Sequence, residues 1–273
     1  MQVIGLCRFS WPAEGGFQVE HADPASREAY LYAPARMEER LAHFEAICLP
    51  GLKAQTDPDF ALLVLIGDTL PQGYRARLEA LLSGFRQARI VIRPSGPHRA
   101  VCQSVINEAR DMAAPCLQFR HDDDDAVAVD FVATLRQAAD DVRALLARHR
   151  LVGFDWNRGY VARPDAKGLC AEESVTPFWG VAQAMAVQAG VRQSIMNFGH
   201  NKILRFMPTL SFTDRAMYVR GHNDHNDSRQ KGHVRPVALP RLDAAGEALL
   251  RARFAIDADQ VRSIFGAMPL ART

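Results

Sequence analysis

Cys116-Leu117-Gln118-Phe119-Arg120-His121-Asp122-Asp123-Asp124-Asp125-Ala126-Val127-Ala128-Val129 sets four consecutive carboxylates between two apolar stretches. Like charges this close disfavour one another's ionisation unless something positive sits beside them. A hard divalent cation with oxygen ligands is the simplest such partner. A solvated acidic patch is the other reading, because most charge blocks are simply wet. The flanks weigh toward a site, since acidic tails lie in polar, low-complexity sequence and this run lies in core-type sequence. In an extended segment, residues two apart point the same way, with a rise of about 3.3 Å per residue. Asp122 and Asp124 are therefore expected on one face, and Asp123 and Asp125 on the other. Two carboxylates so placed reach one Mg²⁺ or Mn²⁺, an ion that often takes only one or two carboxylates and keeps positions for substrate phosphates.

Upstream, strands and helices alternate. Val3 to Cys7 is a β-rich run. Met37, Leu41, Phe44 and Cys48 fall at helical spacing between Pro34 and Pro50-Gly51. The unbroken apolar run Phe60 to Ile66, closed by Gly67-Asp68, reads as a buried parallel strand. Tyr74, Leu78, Leu81, Leu82 and Phe85 mark a helix, Ile90-Val91-Ile92 a strand, and Val101, Val105, Ile106 and Ala109 another helix. Asp130 is placed to cap a helix carrying Phe131, Leu135, Ala138, Val142 and Leu145. Repeats of this kind imply right-handed crossovers and a mostly parallel sheet with helices on both faces. In such sheets ligands bind beyond the carboxyl ends of the strands. Arg8-Phe9-Ser10, Gly67-Asp68-Thr69 and the aspartate run all lie at such ends, so one shared crevice is expected.

After residue 150 the pattern changes. Leu151 to Trp156 and Tyr160-Val161-Ala162 flank Asn157-Arg158-Gly159, which suggests a hairpin. Phe178-Trp179-Gly180-Val181 and Ala216-Met217-Tyr218-Val219 are further strand candidates. Two helices are expected near the end, around Ala244 to Phe254 and Asp259 to Phe265.

At 273 residues the chain is long enough for a large core. A hydrophobic content of 48% and a charged content of 23% are those of an ordinary globular protein, and a net charge of +2 argues against a nucleic-acid binder. No apolar run reaches the roughly 18 residues that span a bilayer. The N-terminus has no basic lead or cleavage site, so no signal peptide is expected. Cys7, Cys48, Cys102, Cys116 and Cys170 are scattered, with no CxxC pair. That fits a reducing compartment rather than a disulfide framework or a zinc site.

From His200 to Arg241 lies a basic stretch: Arg205, Arg215, Arg220, Arg229, Lys231 and Arg235, with His200, His222, His225 and His233. Arginine forks onto phosphate oxygens, and histidine serves as metal ligand or phosphate donor. A solvated basic face is the alternative. Asp68 reads equally as a turn residue, and Arg8 as an exposed strand end. Trp156, Phe178 and Trp179 read as core, or as faces for stacking a sugar.

An apolar strand leading into Asp122-x-Asp124-Asp125, in a chain that begins with a strand and has an earlier Gly-Asp strand end, resembles the Asp-x-Asp motif of nucleotide-sugar glycosyltransferases of the GT-A fold. Phe119-Arg120-His121-Asp122-Asp123-Asp124-Asp125-Ala126, with Met217-Tyr218-Val219-Arg220-Gly221-His222 and Asn226-Asp227-Ser228, resembles more narrowly the bacterial putative rhamnosyltransferase family, from residue 1 to about 235. The resemblance implies an α/β fold of the GT-A type, with a single Rossmann-like sheet. A donor-binding half at 1–150, an acceptor-side and catalytic half at 151–236 and a helical tail at 237–273 follow from it.

It implies these roles. Asp124 with Asp122 would bind Mn²⁺ or Mg²⁺ at the donor diphosphate, with His222 completing the site and His225 as its alternative. Arg8, Phe9, Ser10 and Asp68 would touch the nucleoside. Asp123 and Arg220 would belong to the donor site. His121 replaces the usual apolar residue, which leaves Asp122 or Asp123 as the first ligand. Arg220, His222 and Arg229 would assist the leaving diphosphate. If the reaction inverts at the sugar carbon, a carboxylate must take the acceptor's proton. Asp155 is the candidate, with Glu172 and Glu173 as rivals and a plain hairpin-end role as its alternative. The expected activity is transfer of a sugar, rhamnose by the family's label, from a nucleoside diphosphate to a glycan or lipid-linked glycan. The rival is a metal-dependent phosphohydrolase. A cytoplasmic place is expected, with peripheral contact at the inner membrane face left open.

Overall fold

The computed structural model describes residues 1–15, 23–222 and 239–268. The apolar runs of the first half become strands β1 (Gln2–Arg8), β2 (Ala61–Gly67), β3 (Ala88–Arg93) and β4 (Cys116–Asp122). Between them run α1 (Pro24–Leu31), α2 (Pro34–His43), α3 (Gln72–Leu82) and α4 (His98–Ala109). Helix α2 starts on Pro34, whose missing N–H costs nothing in a first turn. It widens into a π-helical turn at Phe44–Cys48 just before Pro50, which cannot donate to a preceding carbonyl.

Further along come β5 (Ala126–Val127), α5 (Phe131–Asp141), β6 (Leu151–Trp156), β7 (Arg158–Asp165), β8 (Gly168–Val175), β9 (Gln183–Val187), β10 (Thr209–Phe212) and β11 (Tyr218–Gly221). The two expected end helices are α6 (Ala244–Phe254) and α7 (Ala258–Gly266). Among the described residues, seven strands form one sheet in the order β10-β6-β9-β4-β1-β2-β3. Every neighbour pairs in parallel except β9, which runs against both β4 and β6. This is the mostly parallel α/β sheet expected. It runs straight across residue 150, because β6, β9 and β10 extend the sheet begun by the first half. A smaller sheet, β8-β7-β11-β5, stands beside it, backed by α6 and α7 through Leu250, Phe254 and Val261.

Alternation along the strands feeds two cores. Val3 and Cys7 of β1, Leu62 and Val64 of β2 and Leu117 and Phe119 of β4 face one side, against Met37 and Leu41 of α2, Leu78 of α3 and Phe131 and Leu135 of α5. Ile4 and Leu6, Leu63 and Leu65, and Cys116 face the other, against Val105 and Ile106 of α4 and Ile195 and Ile203. Helices therefore cover both faces. Cys7, Cys48, Cys102 and Cys116 are buried thiols. No helix among the described residues is long and apolar enough to cross a membrane.

Three local expectations need correction. Residues 151–162 are not a hairpin: Asn157 hands the chain from the large sheet to the small one, its N–H bonded to Phe212 O and its side chain to Ser211 Oγ. The hairpin is β7 with β8. Phe178 to Val181 is no strand, because Phe178 and Gly180 adopt positive φ and β9 begins only at Gln183. Asp130 precedes α5 without a side-chain capping bond, since Arg253 holds its carboxylate at 2.9 Å.

Gly5 of β1 faces Phe119 of β4 in register, and a methyl group on it would sit 2.2 Å from Phe119 Cζ. Gly5→Ala is therefore expected to cost about 1–3 kcal/mol by overpacking in urea denaturation. Gly73→Ala, in open space within α3, should instead gain up to about 1 kcal/mol. Equal, small effects at both positions would contradict this packing.

Candidate active site

The chain runs outward from β1 to β2 and β3, then returns to β4 on the other side of β1. Such a reversal of strand order opens a crevice beyond the carboxyl ends. Arg8 ends β1, Asp122 ends β4, and the two are register partners. Their side chains meet, with Arg8 Nη2 donating to Asp122 Oδ1 at 3.1 Å. Arg8 Nη1 also lies 3.1 Å from Nε2 of His98, the first residue of α4. A guanidinium only donates, so His98 Nε2 accepts and its proton sits on Nδ1. Burial and the adjacent Arg8 push the His98 pKa down to about 3, which keeps the ring neutral.

The aspartates do not alternate across an extended strand as expected. The strand stops at Asp122, and the Asp125 N–H closes a turn onto Asp122 O at 3.3 Å. The turn carries Asp123 and Asp124 to the same partner. Arg40 of α2, with its side chain only 4% exposed, lies 3.0 Å from Asp123 Oδ1 and 2.8 Å from Asp124 Oδ2. Arg40 and Arg8 thus supply much of the positive charge that the sequence argument assigned to a cation. Asp125 Oδ1 accepts the Gly221 N–H at 3.0 Å. Position 221 has to be glycine, because a methyl there would lie 2.2 Å from Asp124 O.

The four carboxylates differ by environment. Burial lifts Asp123 to about 6, with Arg40 opposing and Asp124 adding to the rise. Burial, then Asp124, lifts Asp125 well above the ordinary range. At Asp122 the protein walls also favour the neutral acid, but Arg8, helped by Arg120 and Arg220, wins and brings it down to about 2. Asp122, with its side chain 56% exposed, is ionised and accessible to a ligand in the cleft.

These groups line a cleft of about 290 Å³, open to solvent. Its described lining holds six arginines (Arg8, Arg36, Arg40, Arg99, Arg120 and Arg220) against the four aspartates. Arg120 shares a strand face with Asp122 and donates to Ile195 O and Phe198 O at 2.9 and 2.8 Å. Arg220 of β11 stacks on Trp179, 4.6 Å from the ring centroid, and donates to Trp179 O at 3.2 Å. Arg36 donates to Ser10 Oγ at 2.9 Å and to Leu31 O at 3.0 Å. The surplus of fixed cations suits a multiply charged anion.

Of the residues expected at the site, Arg8, Ser10, Asp122, Asp123, Asp124 and Arg220 line the cleft. Phe9 does not: its ring is buried edge-on against Phe44, because strand alternation sends it inward between Arg8 and Ser10. Asp68 is exposed at the end of β2, outside the lining, with its N–H on Arg93 O. Asp155 is fully buried and does not reach the cleft. Its carboxylate accepts the Phe178 N–H at 3.1 and 3.2 Å and the Ser211 hydroxyl at 2.9 Å, which corrects its assignment as the base. Glu172 and Glu173 are exposed on β8, away from the lining. His222 follows Gly221, its backbone N–H on Ala162 O at 2.8 Å, and is not among the described lining residues. His225, Arg229, Lys231, His233 and Arg235 lie outside the described residues.

Arg36, Arg40, His98 and Arg120 were missed. Arg36 and Arg40 stand four apart on the buried face of α2, a spacing that a search for apolar periodicity passes over.

A divalent cation would find hard oxygen donors here in Asp122 and Asp124, both in the cleft wall. No group of three His, Cys, Asp or Glu side chains converges as a metal site among the described residues. The donor set therefore fits an ion that takes two protein carboxylates and completes its shell from phosphate and water, as Mg²⁺ and Mn²⁺ do.

Among solved structures, the chain is similar to Staphylococcus aureus TarS residues 1–349 in complex with UDP-GlcNAc, with a TM-score of 0.45 and 10% identity over 83% of this chain and 60% of that one. It is similar also to the same protein with UDP (TM-score 0.44, 9% identity, 81% and 61%) and to TarS 1–349 alone (TM-score 0.42, 9% identity, 81% and 60%). The chain thus spans about 60% of the length of those structures. No curated protein matches it. The family model described as "Putative rhamnosyl transferase" matches residues 2–235, most of the length, and the chain belongs to that family.

Proposed function

We propose that this chain is a glycosyltransferase that takes its sugar, rhamnose by the family's description, from a nucleoside diphosphate and passes it to a hydroxyl of a glycan or lipid-linked glycan. The observation that carries the reading is the cleft at the β1–β4 reversal, where fixed arginines outnumber carboxylates and Asp122 stays ionised and exposed. A phosphohydrolase would also gather aspartates at strand ends, but membership of a transferase family argues against it.

In this proposal the diphosphate lies against Arg8, Arg120 and Arg220. Arg8 is held by Asp122 and His98, Arg120 by the Ile195 and Phe198 carbonyls, and Arg220 by Trp179. Donors fixed before the reaction stabilise charge developing on the leaving diphosphate without reorganising. Asp122 and Asp124 would hold Mn²⁺ or Mg²⁺, which would supply Lewis-acid neutralisation of that same charge. Ser10 and Arg36, at the end of the cleft near Leu31, would meet the nucleoside. His222 and His225 are not needed for this assignment.

A thermal-shift screen of UDP, GDP, dTDP and CMP, each with and without Mn²⁺, tests the reading. Ligand at one hundred times its Kd should stabilise the protein by about 2.7 kcal/mol, a rise of roughly 5–10 °C for a chain of this size. One diphosphate is expected to give a Mn²⁺-dependent shift, and a flat response to all four would contradict the proposal. Asp122→Asn, at an exposed pair, should leave the ligand-free melting temperature nearly unchanged while abolishing the Mn²⁺-dependent part of the shift; persistence of that part would remove Asp122 as a ligand. Arg40→Met strips the buried carboxylates of their partner and is expected to cost about 3–5 kcal/mol in chemical denaturation. A cost below about 1 kcal/mol would show that Arg40 is not what holds the turn.

A further inference from the structure

Transfer to a hydroxyl requires something to take its proton, and the carboxylates of the cleft are committed elsewhere. Asp122 is bonded to Arg8, Asp123 and Asp124 to Arg40, and Asp125 to the Gly221 N–H. The His98 lone pair is spent on Arg8. His200, which also lines the cleft, is different. Its Nδ1 lies 2.6 Å from Phe178 O. A carbonyl can only accept, so Nδ1 carries the proton and Nε2 carries the lone pair. Nε2 has no hydrogen-bond partner among the described residues, and it is not a sealed buried atom.

We propose that His200 is the general base of the transfer, held in its working tautomer by the Phe178 carbonyl, and that Asp155 is the positioning residue behind it. The inference rests on the glycosyl-transfer reading above.

The clamp is built from strained backbone. Phe178, Gly180 and Ala182 have φ of +57°, +93° and +49° within five residues. Left-handed conformations at non-glycine residues are strained and persist only where the surroundings enforce them. Here the enforcement is explicit. Both Asp155 oxygens accept the Phe178 N–H, Ser211 donates to Asp155, and Asn157 Nδ2 donates to Ser211 at 2.9 Å. Asp155 thus fixes the N–H side of Phe178, while His200 reads its carbonyl side. The buried Gln183 donates to His200 O at 3.1 Å and fixes the backbone of the base as well. Gly180 closes over the ring, where a methyl would lie 3.2 Å from His200 Cγ.

The charged groups around the ring are Arg120 and Asp122 of β4 and Arg220 of β11. Burial lowers the His200 pKa from 6.5, the Phe178 carbonyl partly restores it, and the two arginines lower it again against Asp122. The ring is therefore neutral at neutral pH, as a base must be. In the step, the acceptor O–H bond breaks and its proton goes to Nε2. The oxygen bonds to the sugar's anomeric carbon as the bond to phosphate breaks. That electron pair departs on the nucleoside diphosphate, and the imidazolium later returns its proton to water.

The test follows nucleoside diphosphate release from dTDP-rhamnose, UDP-glucose and GDP-mannose with glycerol as acceptor. In His200→Gln we expect kcat to fall about 10²–10³-fold, with the donor KM within about threefold. The acid limb of the wild-type pH–rate profile, where the rate falls as the imidazole protonates, should vanish. Asp155→Asn keeps an acceptor for the Phe178 N–H and should retain most of the rate, whereas Asp155→Ala should not. A His200→Gln enzyme as fast as wild type, or slower with its acid limb intact, overturns the assignment. So does an Asp155→Asn enzyme as dead as a lost base. A wild type that releases nothing from any of the donors overturns the transfer reading itself, a result distinct from an active wild type beside an equally active variant.

Discussion

The site depends on one buried guanidinium. Arg40 reaches from α2 to both Asp123 and Asp124, and without it two desolvated carboxylates would face each other in the protein interior. Burying charge is tolerable only when it is paired and hydrogen-bonded. The pairing fixes the shape of the turn. That shape leaves Asp122 outside, where Arg8 can hold it, and presses the Asp124 carbonyl against Gly221. Helix α2, the ends of β1 and β4 and the end of β11 are thereby locked around one point.

From that point the electrostatics of the cleft follow. The four carboxylates are unlike one another although they are adjacent in sequence. Asp123 and Asp125 are lifted by burial, and Asp122 is held low by arginine. The histidines of the wall are kept neutral by burial and by the same arginines, so the fixed positive charge belongs to guanidinium groups that stay charged at any physiological pH. A cleft of this kind suits a multiply charged anion while leaving one nitrogen of each imidazole without a proton. On the proposed reading, the two requirements of glycosyl transfer, stabilising a leaving anion and accepting a proton, fall to different residue types lining one cleft.

Much of this was legible in the sequence, and the reasons for the rest are physical. Unbroken apolar runs such as Phe60 to Ile66 and helical spacing such as Val101, Val105 and Ile106 are direct consequences of burial, and they gave the α/β sheet. The aspartate run announced the site because four adjacent charges in core sequence demand a partner. Its geometry was not legible. Whether residues 122–125 stay extended or turn depends on Arg40, 83 residues away, and no local pattern shows that contact. Asp155 looked catalytic because it lies at a strand end, yet Phe178, 23 residues on, claims its carboxylate. The strand at Gln183–Val187 was hidden because Gln-Ala-Met-Ala-Val holds one β-branched and no aromatic residue, and the hairpin expected at Asn157 is the point where the chain changes sheets. Phe178 is a strand-forming residue held in a left-handed conformation, a case where tertiary bonds override local preference.

The most direct test of the central claim is a crystal structure of the protein grown with Mn²⁺ and the nucleoside diphosphate it binds. The account predicts the pyrophosphate in the cleft beyond β1 and β4, against Arg8 and Arg220, with the anomalous manganese signal beside Asp122 and Asp124. A nucleotide bound elsewhere, with the Asp122–Asp125 turn untouched on its Arg40 anchor, would contradict it.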